Sequence, residues 1–188
     1  MKSIINYFSH PLLKIPLLAG LTTGVLCFLY FLGLYAIGVP ALGNIRVLDF
    51  GIHIIVMVGT VWYYRKYIGH GHLHLWEGLT IGYVLNTMAA LLTGWLVYLF
   101  VSYVDPGVFA EYVTNSKKLL LEGKAQITDQ FGPETFAQQW SKVVNMEPGV
   151  LLPDELTKKT ALAVLPVLII SLIFRKQDYS IMQDPNKL

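Results

Sequence analysis

The sequence predicts an all-α membrane protein: four transmembrane helices, with a helical insertion outside the bilayer between the third and the fourth. Three observations predict it. Of the 188 residues, 54% are hydrophobic and only 14% are charged, where a soluble domain carries about 25% charged residues. The charges are gathered into short clusters that leave four long apolar runs between them. The longest run carries no charge between Glu77 and Asp105, well over the ~20 apolar residues that cross a hydrocarbon core about 30 Å thick. The chain reads as a single integral domain, residues 1–188, with residues 105–155 as one loop.

Residues 1–14 mix apolar side chains with Lys2, His10 and Lys14 around Pro11. Tyr7 and Phe8 suit a segment lying among lipid headgroups. Pro11 and Pro16 argue against a cleavable signal peptide, because the apolar run beyond them is of full spanning length. Pro16 fits the start of a helix, which gives a first span over residues 17–37, closed by Gly38, Pro40 and Gly43. The second span, 47–64, ends in Trp62, Tyr63 and Tyr64 before Arg65-Lys66. A basic, histidine-rich loop leads to the third span, 78–104. Pro106 disfavours helix at Asp105 and can itself open a new helix.

Residues 107–155 are too polar to span. Phe109, Tyr112, Val113, Leu120, Ile127 and Phe131 recur near helical spacing, with a weak point at Gly123 and a break at Gly132-Pro133. Phe136, Trp140, Val143 and Val144 then share one stripe of a shorter helix, so the insertion is helical over 107–145. The Pro148 and Pro153 region reads as an extended linker. The last span, 156–174, holds Pro166 and stops at Arg175-Lys176; Pro166 frees the Leu162 carbonyl.

Four spans put both termini on the side of the 65–76 loop. Lys2, Lys14, Arg65, Lys66, Arg175, Lys176 and Lys187 lie there against Glu77, Asp178 and Asp184, while the short loop opposite holds Arg46 alone. Positive charge stays cytoplasmic, so both termini are expected inside a bacterial inner membrane and the 105–155 loop outside it.

The first span opens Gly20-Leu21-Thr22-Thr23-Gly24 and the third opens Gly78-Leu79-Thr80-Ile81-Gly82, and the second and fourth both end in a basic pair. The chain therefore reads as a pseudo-repeat of two helical hairpins. Small residues four apart let helix backbones approach. Gly20, Gly24, Gly78 and Gly82, extended by Ala90 and Gly94, are packing candidates within the bundle or between copies.

Asp49 and His53 stand four apart on one face of the second span. Acidic residues in spans are paired or mark ion paths. A structural pairing of Asp49 with His53 or Arg46 is preferred here to a proton relay, since Asp49 lies close to the headgroups. Asn86, Thr87, Thr93, Tyr83 and Tyr98 form a polar stripe on the third span, suited to bonding between helices. His70, His72 and His74 alternate, and in an extended segment i and i+2 share a face. Two glycines loosen them and only Glu77 stands near, so no metal is expected. Glu77 instead suits the first turn of a helix.

With a net charge of +2 and no basic run with interleaved aromatics, nucleic acid is excluded as an expected partner. No nucleophile–base order, phosphate loop or HExxH is present. Neither enzymatic activity nor a cofactor is expected. Cys27, alone in an apolar run, reads as core.

The layout resembles the small membrane proteins of Bacteroidota grouped as domain of unknown function family 4199. The likeness rests on Gly20 and Gly24, Tyr63-Tyr64-Arg65-Lys66, the stretch Leu73-His74-Leu75-Trp76-Glu77-Gly78-Leu79-Thr80-Ile81-Gly82, and Tyr103-Val104-Asp105-Pro106. It covers about residues 13–176. It implies a four-span inner-membrane protein with no assigned activity, often encoded near envelope glycosyltransferases, and relatives with Gly-rich polar residues in place of the three histidines. Together these readings lead to a non-catalytic scaffold or accessory subunit that docks an envelope protein through Phe136 and Trp140. The alternative is a small carrier or an ion or proton pathway acting as an oligomer, using Asp49, His53, Asn86 and the Pro166 kink.

Overall fold

A computed structural model of the chain describes residues 10–176. Tyr7 and Phe8 of the expected headgroup segment, and the tail beyond Lys176, lie outside the described residues. The described chain forms seven α-helices: α1 Pro11–Ala36, α2 Phe50–Tyr63, α3 Leu75–Leu99, α4 Pro106–Glu122, α5 Lys124–Phe131, α6 Pro133–Val144 and α7 Leu151–Phe174. A 3-10 turn, Asn44–Asp49, leads into α2, and another, Pro148–Val150, leads into α7. Wider π turns follow α2 (Tyr64–Ile68) and α3 (Phe100–Val104). Four of the resulting stretches are long and apolar enough to cross a membrane: Pro11–Ala36, Asn44–Ile68, Leu75–Val104 and Pro148–Phe174. The fold is an all-α membrane protein.

Several boundaries differ from those the sequence predicts. α1 starts at Pro11 rather than at 17, because His10 keeps extended backbone and its Nδ1 accepts the Leu12 N–H at 3.3 Å. Pro16 therefore lies inside the helix, where it removes one rung of the ladder. α7 starts at Leu151 rather than at 156. Pro153 is its third residue, where the backbone N–H has no acceptor within the helix, so proline is no obstacle there. What reads as a linker is the first turn of the helix. The insertion is three helices rather than two: the chain breaks at Gly123 and again at Gly132, whose φ of +86° lies in the left-handed region that favours glycine.

At the junction of α3 and α4, Asp105 is the N-cap. Its Oδ1 accepts the Gly107 N–H at 2.9 Å and its Oδ2 accepts the Tyr35 hydroxyl at 2.9 Å. One carboxylate thus starts the insertion and ties it to the end of α1. Asp105→Ala should remove about 1 kcal/mol of capping. Hydrogen exchange should then quicken in the first turn of α4 and stay unchanged at the histidine-loop end of the bundle.

The bundle is organised around α3, which packs most extensively on α1 and α7 and less on α2. Glycines set both large contacts. A Cβ on Gly20 would lie 2.7 Å from the Leu85 carbonyl oxygen, and one on Gly24 would lie 2.9 Å from Leu92 Cβ. On the α7 side, a Cβ on Gly78 would meet Ser171 and one on Gly82 would meet Val167, at 2.9 and 2.7 Å. Gly94 faces Glu155 and Leu152. Ala90, fully buried, shares that stripe. The small-residue candidates are therefore spent on contacts inside one chain. The expected pseudo-repeat is not kept in the packing: the glycine pair of the first span faces the third, whereas the pair of the third faces the fourth. Equivalent glycines meet non-equivalent partners.

The opposite end is closed by the histidine loop. Leu73 and Lys176 exchange two backbone hydrogen bonds, at 2.9 and 3.0 Å, tying that loop to the end of α7. Glu77 accepts the His74 backbone N–H at 2.8 Å, the helix-start role expected of it. Lys66 lies over the rings of Trp62 and Tyr67, at 4.8 and 5.2 Å, as a belt at a membrane surface does.

Candidate functional site

The apolar core comes in two separate clusters. One, toward the histidine loop, includes Met57, Val61, Leu73, Ile81, Leu85, Ala163 and Val167. The other, toward the insertion, includes Phe31, Leu34, Val97, Phe100, Phe109 and Leu151. The polar side chains Thr23, Asp49, His53, Asn86, Thr93, Glu155 and Lys159, all buried, belong to neither cluster. They form the candidate site.

The register of α7 carries the charges there. Leu151, Glu155, Lys159, Ala163 and Val167 are buried at intervals of four, which is one helical face. Because Gly82 and Gly78 hold Val167 and Ser171 close against α3, the same face takes Lys159 and Glu155 into the bundle further along. Lys159 forms an ion pair with Asp49, the side chains being 5% and 0% exposed. Glu155 lies 3.8 Å from Lys159, and Arg46 Nη2 lies 2.9 Å from Glu155 Oε2. That last pair is close but poorly aligned, since Arg46 Nη2 makes no directed hydrogen bond among the described residues. Aromatic rings line the cations: Phe50 lies 5.7 Å from Lys159 Nζ and Phe31 lies 5.8 Å from the Arg46 guanidinium.

A second strand of the network links three spans. His53 Nδ1 lies 3.0 Å from Asn86 Oδ1, and Asn86 Nδ2 donates to the Lys159 carbonyl at 3.3 Å. Thr93 donates to the Gly24 carbonyl at 3.2 Å. Cys27, buried as expected, places its Sγ 3.7 Å from the Asp49 carbonyl.

The expected pairings of Asp49 are thus replaced. Asp49 meets neither His53 nor Arg46; its partner is Lys159, His53 turns to Asn86, and Arg46 turns to Glu155. Asp49 is enclosed between the spans, at 1% exposure. The polar stripe of α3 divides. Asn86 and Thr93 point into the layer, whereas Tyr83 and Thr87 line an apolar groove with Leu13, Leu17 and Met88 on the outside of α1 and α3. Glu155 falls beside the Pro153 stretch that reads as linker, and Lys159, inside the expected 156–174 span, carries no local sign of a partner. Stepping back by fours from Val167 and Ala163 would have found them.

The remaining candidates lie elsewhere. His70 has φ +48°, and among the described residues no three His, Cys, Asp or Glu side chains are placed to share an ion. Phe136 and Trp140 are half-buried and stack on each other at 6.2 Å, with Lys124 lying 5.3 Å from the Phe136 ring. Phe109 is buried against the bundle with Tyr112 and Val113. Of the apolar side chains expected on the insertion's helical faces, Phe109 is buried, Phe136 and Trp140 are half-buried, and Val144 is exposed. Leu119, Leu121 and Phe131 are the large apolar side chains that the insertion helices leave most exposed.

Buried charges of both signs in a layer between apolar clusters can hold two helices in register, exchange protons, or take up a small polar ligand. No curated protein and no solved structure matches this chain. A family model described as a protein of unknown function (DUF4199) matches residues 18–176. That match runs through all four spans and every residue of the charged layer, and the chain belongs to this family.

Proposed function

We propose that the protein is a multi-pass protein of a bacterial inner membrane that works without catalysis of its own, as a scaffold or accessory subunit of an envelope complex. The observation that supports this reading is the insertion. Leu119 and Phe131 are 63% and 66% exposed on helices outside the four membrane-spanning stretches, whereas exposed Ile55 and Leu165 lie within them. Apolar surface of that kind marks an interaction site. The partner-docking residues are therefore Leu119, Leu121 and Phe131, with Phe136 and Trp140 supporting them from within the insertion. The positive-inside rule puts this surface outside the cytoplasm.

The test is purification from native membranes in a mild detergent, followed by native mass measurement. A stoichiometric second protein is expected, lost in a Leu119→Ser/Phe131→Ser double variant whose thermal unfolding matches wild type. A lone monomer from native membranes overturns the reading.

The charged layer favours a second reading, an ion or proton pathway acting as an oligomer. Asp49 Oδ2 and His53 Nε2 are buried without a hydrogen-bond partner among the described residues, so each keeps a position at which a proton could be taken up or given, and ionisable residues inside spans mark such paths. Met57, Val61, Ile81, Leu85, Ala163 and Val167, all fully buried, close the histidine-loop side, so conduction requires that cluster to open. Proton flux into protein-loaded vesicles, abolished by Asp49→Asn, supports this reading; flux equal to that of empty vesicles rejects it.

A further inference from the structure

A crevice of about 60 Å³ opens from the surface onto the charged layer, between the insertion ends of the second and fourth spans. Its charged wall is Arg46, Asp154, Glu155, Lys158 and Lys159, and its apolar wall includes Val47 and Leu162. Two features show that this wall is unfinished. Among the described residues, Arg46 Nε and Nη2 are buried donors without a directed partner, and Glu155 Oε1 is a buried acceptor without one. These donors and this acceptor are enclosed behind the crevice wall, where a ligand that carries both an oxyanion and an N–H cation would satisfy them once the Arg46–Glu155 pair opens toward it.

The lipid-facing surface says where such a ligand comes from. Along α7 the exposed Asp154–Lys158 pair, 2.7 Å apart, gives way at once to exposed Leu162, Leu165, Ile169 and Ile173. Across the crevice, Arg46 gives way to exposed Val47, Leu48 and Ile55. The boundary between polar and apolar surface passes through the crevice on both helices, and Leu162 belongs to both. That boundary is headgroup level. A group seated there has its polar part against Arg46 and Glu155 and its apolar part along α2 and α7.

The charges narrow the class. Lys159 is neutralised from behind by Asp49, Arg46 stands against Glu155, and Lys158 stands against Asp154. A purely anionic headgroup would meet two carboxylates, and a purely cationic one would meet two basic groups. We propose that the crevice binds the zwitterionic headgroup of a phosphatidylethanolamine, with the phosphate taken by Arg46 and Lys158 and the ammonium by Glu155 and Asp154. This is independent of the scaffold reading, because it concerns a lipid rather than a protein partner.

The test is lipid retention by the full chain, delipidated in mild detergent and read by native mass measurement. Phosphatidylethanolamine, phosphatidylcholine and phosphatidylglycerol of identical acyl chains are added separately. Phosphatidylcholine keeps the zwitterion but removes the N–H donors, and phosphatidylglycerol removes the cation. One phosphatidylethanolamine is expected to be retained about tenfold better than either, worth about 1.4 kcal/mol. Asp154→Ala/Lys158→Ala, at exposed positions that the fold does not need, should bring that preference to within about twofold, and Arg46→Gln should remove it. Equal retention of the three lipids overturns the proposal. So does preference for phosphatidylglycerol, a preference unchanged in the Asp154/Lys158 variant, or binding of inorganic phosphate with no discrimination among lipids.

Discussion

Lys159→Met should destabilise the protein by roughly 3–5 kcal/mol, the cost of leaving a buried carboxylate without its cation. Asp49 is fully enclosed by the bundle, and Lys159 is the one cation within ion-pairing distance of it among the described residues. Arg46 cannot take over, because its guanidinium is held toward Glu155 at 2.9 Å. Asp49→Leu should cost less, since the enclosed ammonium beside Phe50 keeps Glu155 3.8 Å away as a second carboxylate. Asp49→Leu/Lys159→Met together should recover most of either loss, because apolar groups of similar volume replace a buried pair at little cost. Unfolding in mixed micelles, read for wild type, both single variants and the double, gives the coupling directly. Additive losses would mean that the two side chains do not depend on each other and would remove the charged layer as a unit. Recovery of stability without recovery of function would mark the layer as a working site rather than a clamp.

How much of this was legible depends on how local the signal is. The spans were legible, because an uncharged run from Glu77 to Asp105 has few alternatives to a bilayer. The start of α4 at Pro106 and the first-turn place of Glu77 were legible too, each needing only its neighbours in sequence. The small-residue stripes were legible as stripes, but nothing in Gly20 or Gly82 says which helix will face them. Asp49 was legible as a residue in need of a partner. Its neighbours in sequence, His53 and Arg46, were the wrong ones, and the right one is 110 residues away. Helical proximity at i and i+4 places two side chains on one face without making them bond: Asp49 is drawn to α7 and His53 to α3. The start of α7 was illegible because proline and charge are the usual marks of a linker. Here the proline occupies the turn that tolerates it, and the charges are drawn inward by the register that the α3 glycines impose. The insertion shows the converse. Its apolar periodicity was read correctly as helix, but covering Phe109 with the bundle and stacking Phe136 on Trp140 are tertiary events that periodicity does not encode.

Alanine at Gly20 should cost about 1–3 kcal/mol, as overpacking of a close interface does, while alanine at Gly59 should cost nothing measurable. The contrast follows from what each new methyl would meet. At Gly20 the neighbour at 2.7 Å is the backbone oxygen of Leu85, with Met88 Cβ at 2.8 Å. Neither can rotate aside, so α1 and α3 must part, and dispersion along the whole contact weakens. At Gly82 the methyl would meet Val167 Cγ1 at 2.7 Å. A stiff side chain can give a little where backbone cannot, so Gly82→Ala should cost less than Gly20→Ala. At Gly94 the nearest atom is Glu155 Cβ at 3.4 Å, an ordinary contact, and the cost should be smaller again. Nothing lies within 4 Å of a Cβ on Gly59, and there alanine gains helix propensity. The same micelle unfolding ranks the four variants. An equal loss at Gly20 and Gly59 would show that close approach of backbones is not what the glycines provide. Native mass measurement on the same samples separates the remaining alternative. A glycine face used between copies would lose dimer at unchanged monomer stability, whereas a face spent inside one chain loses stability first.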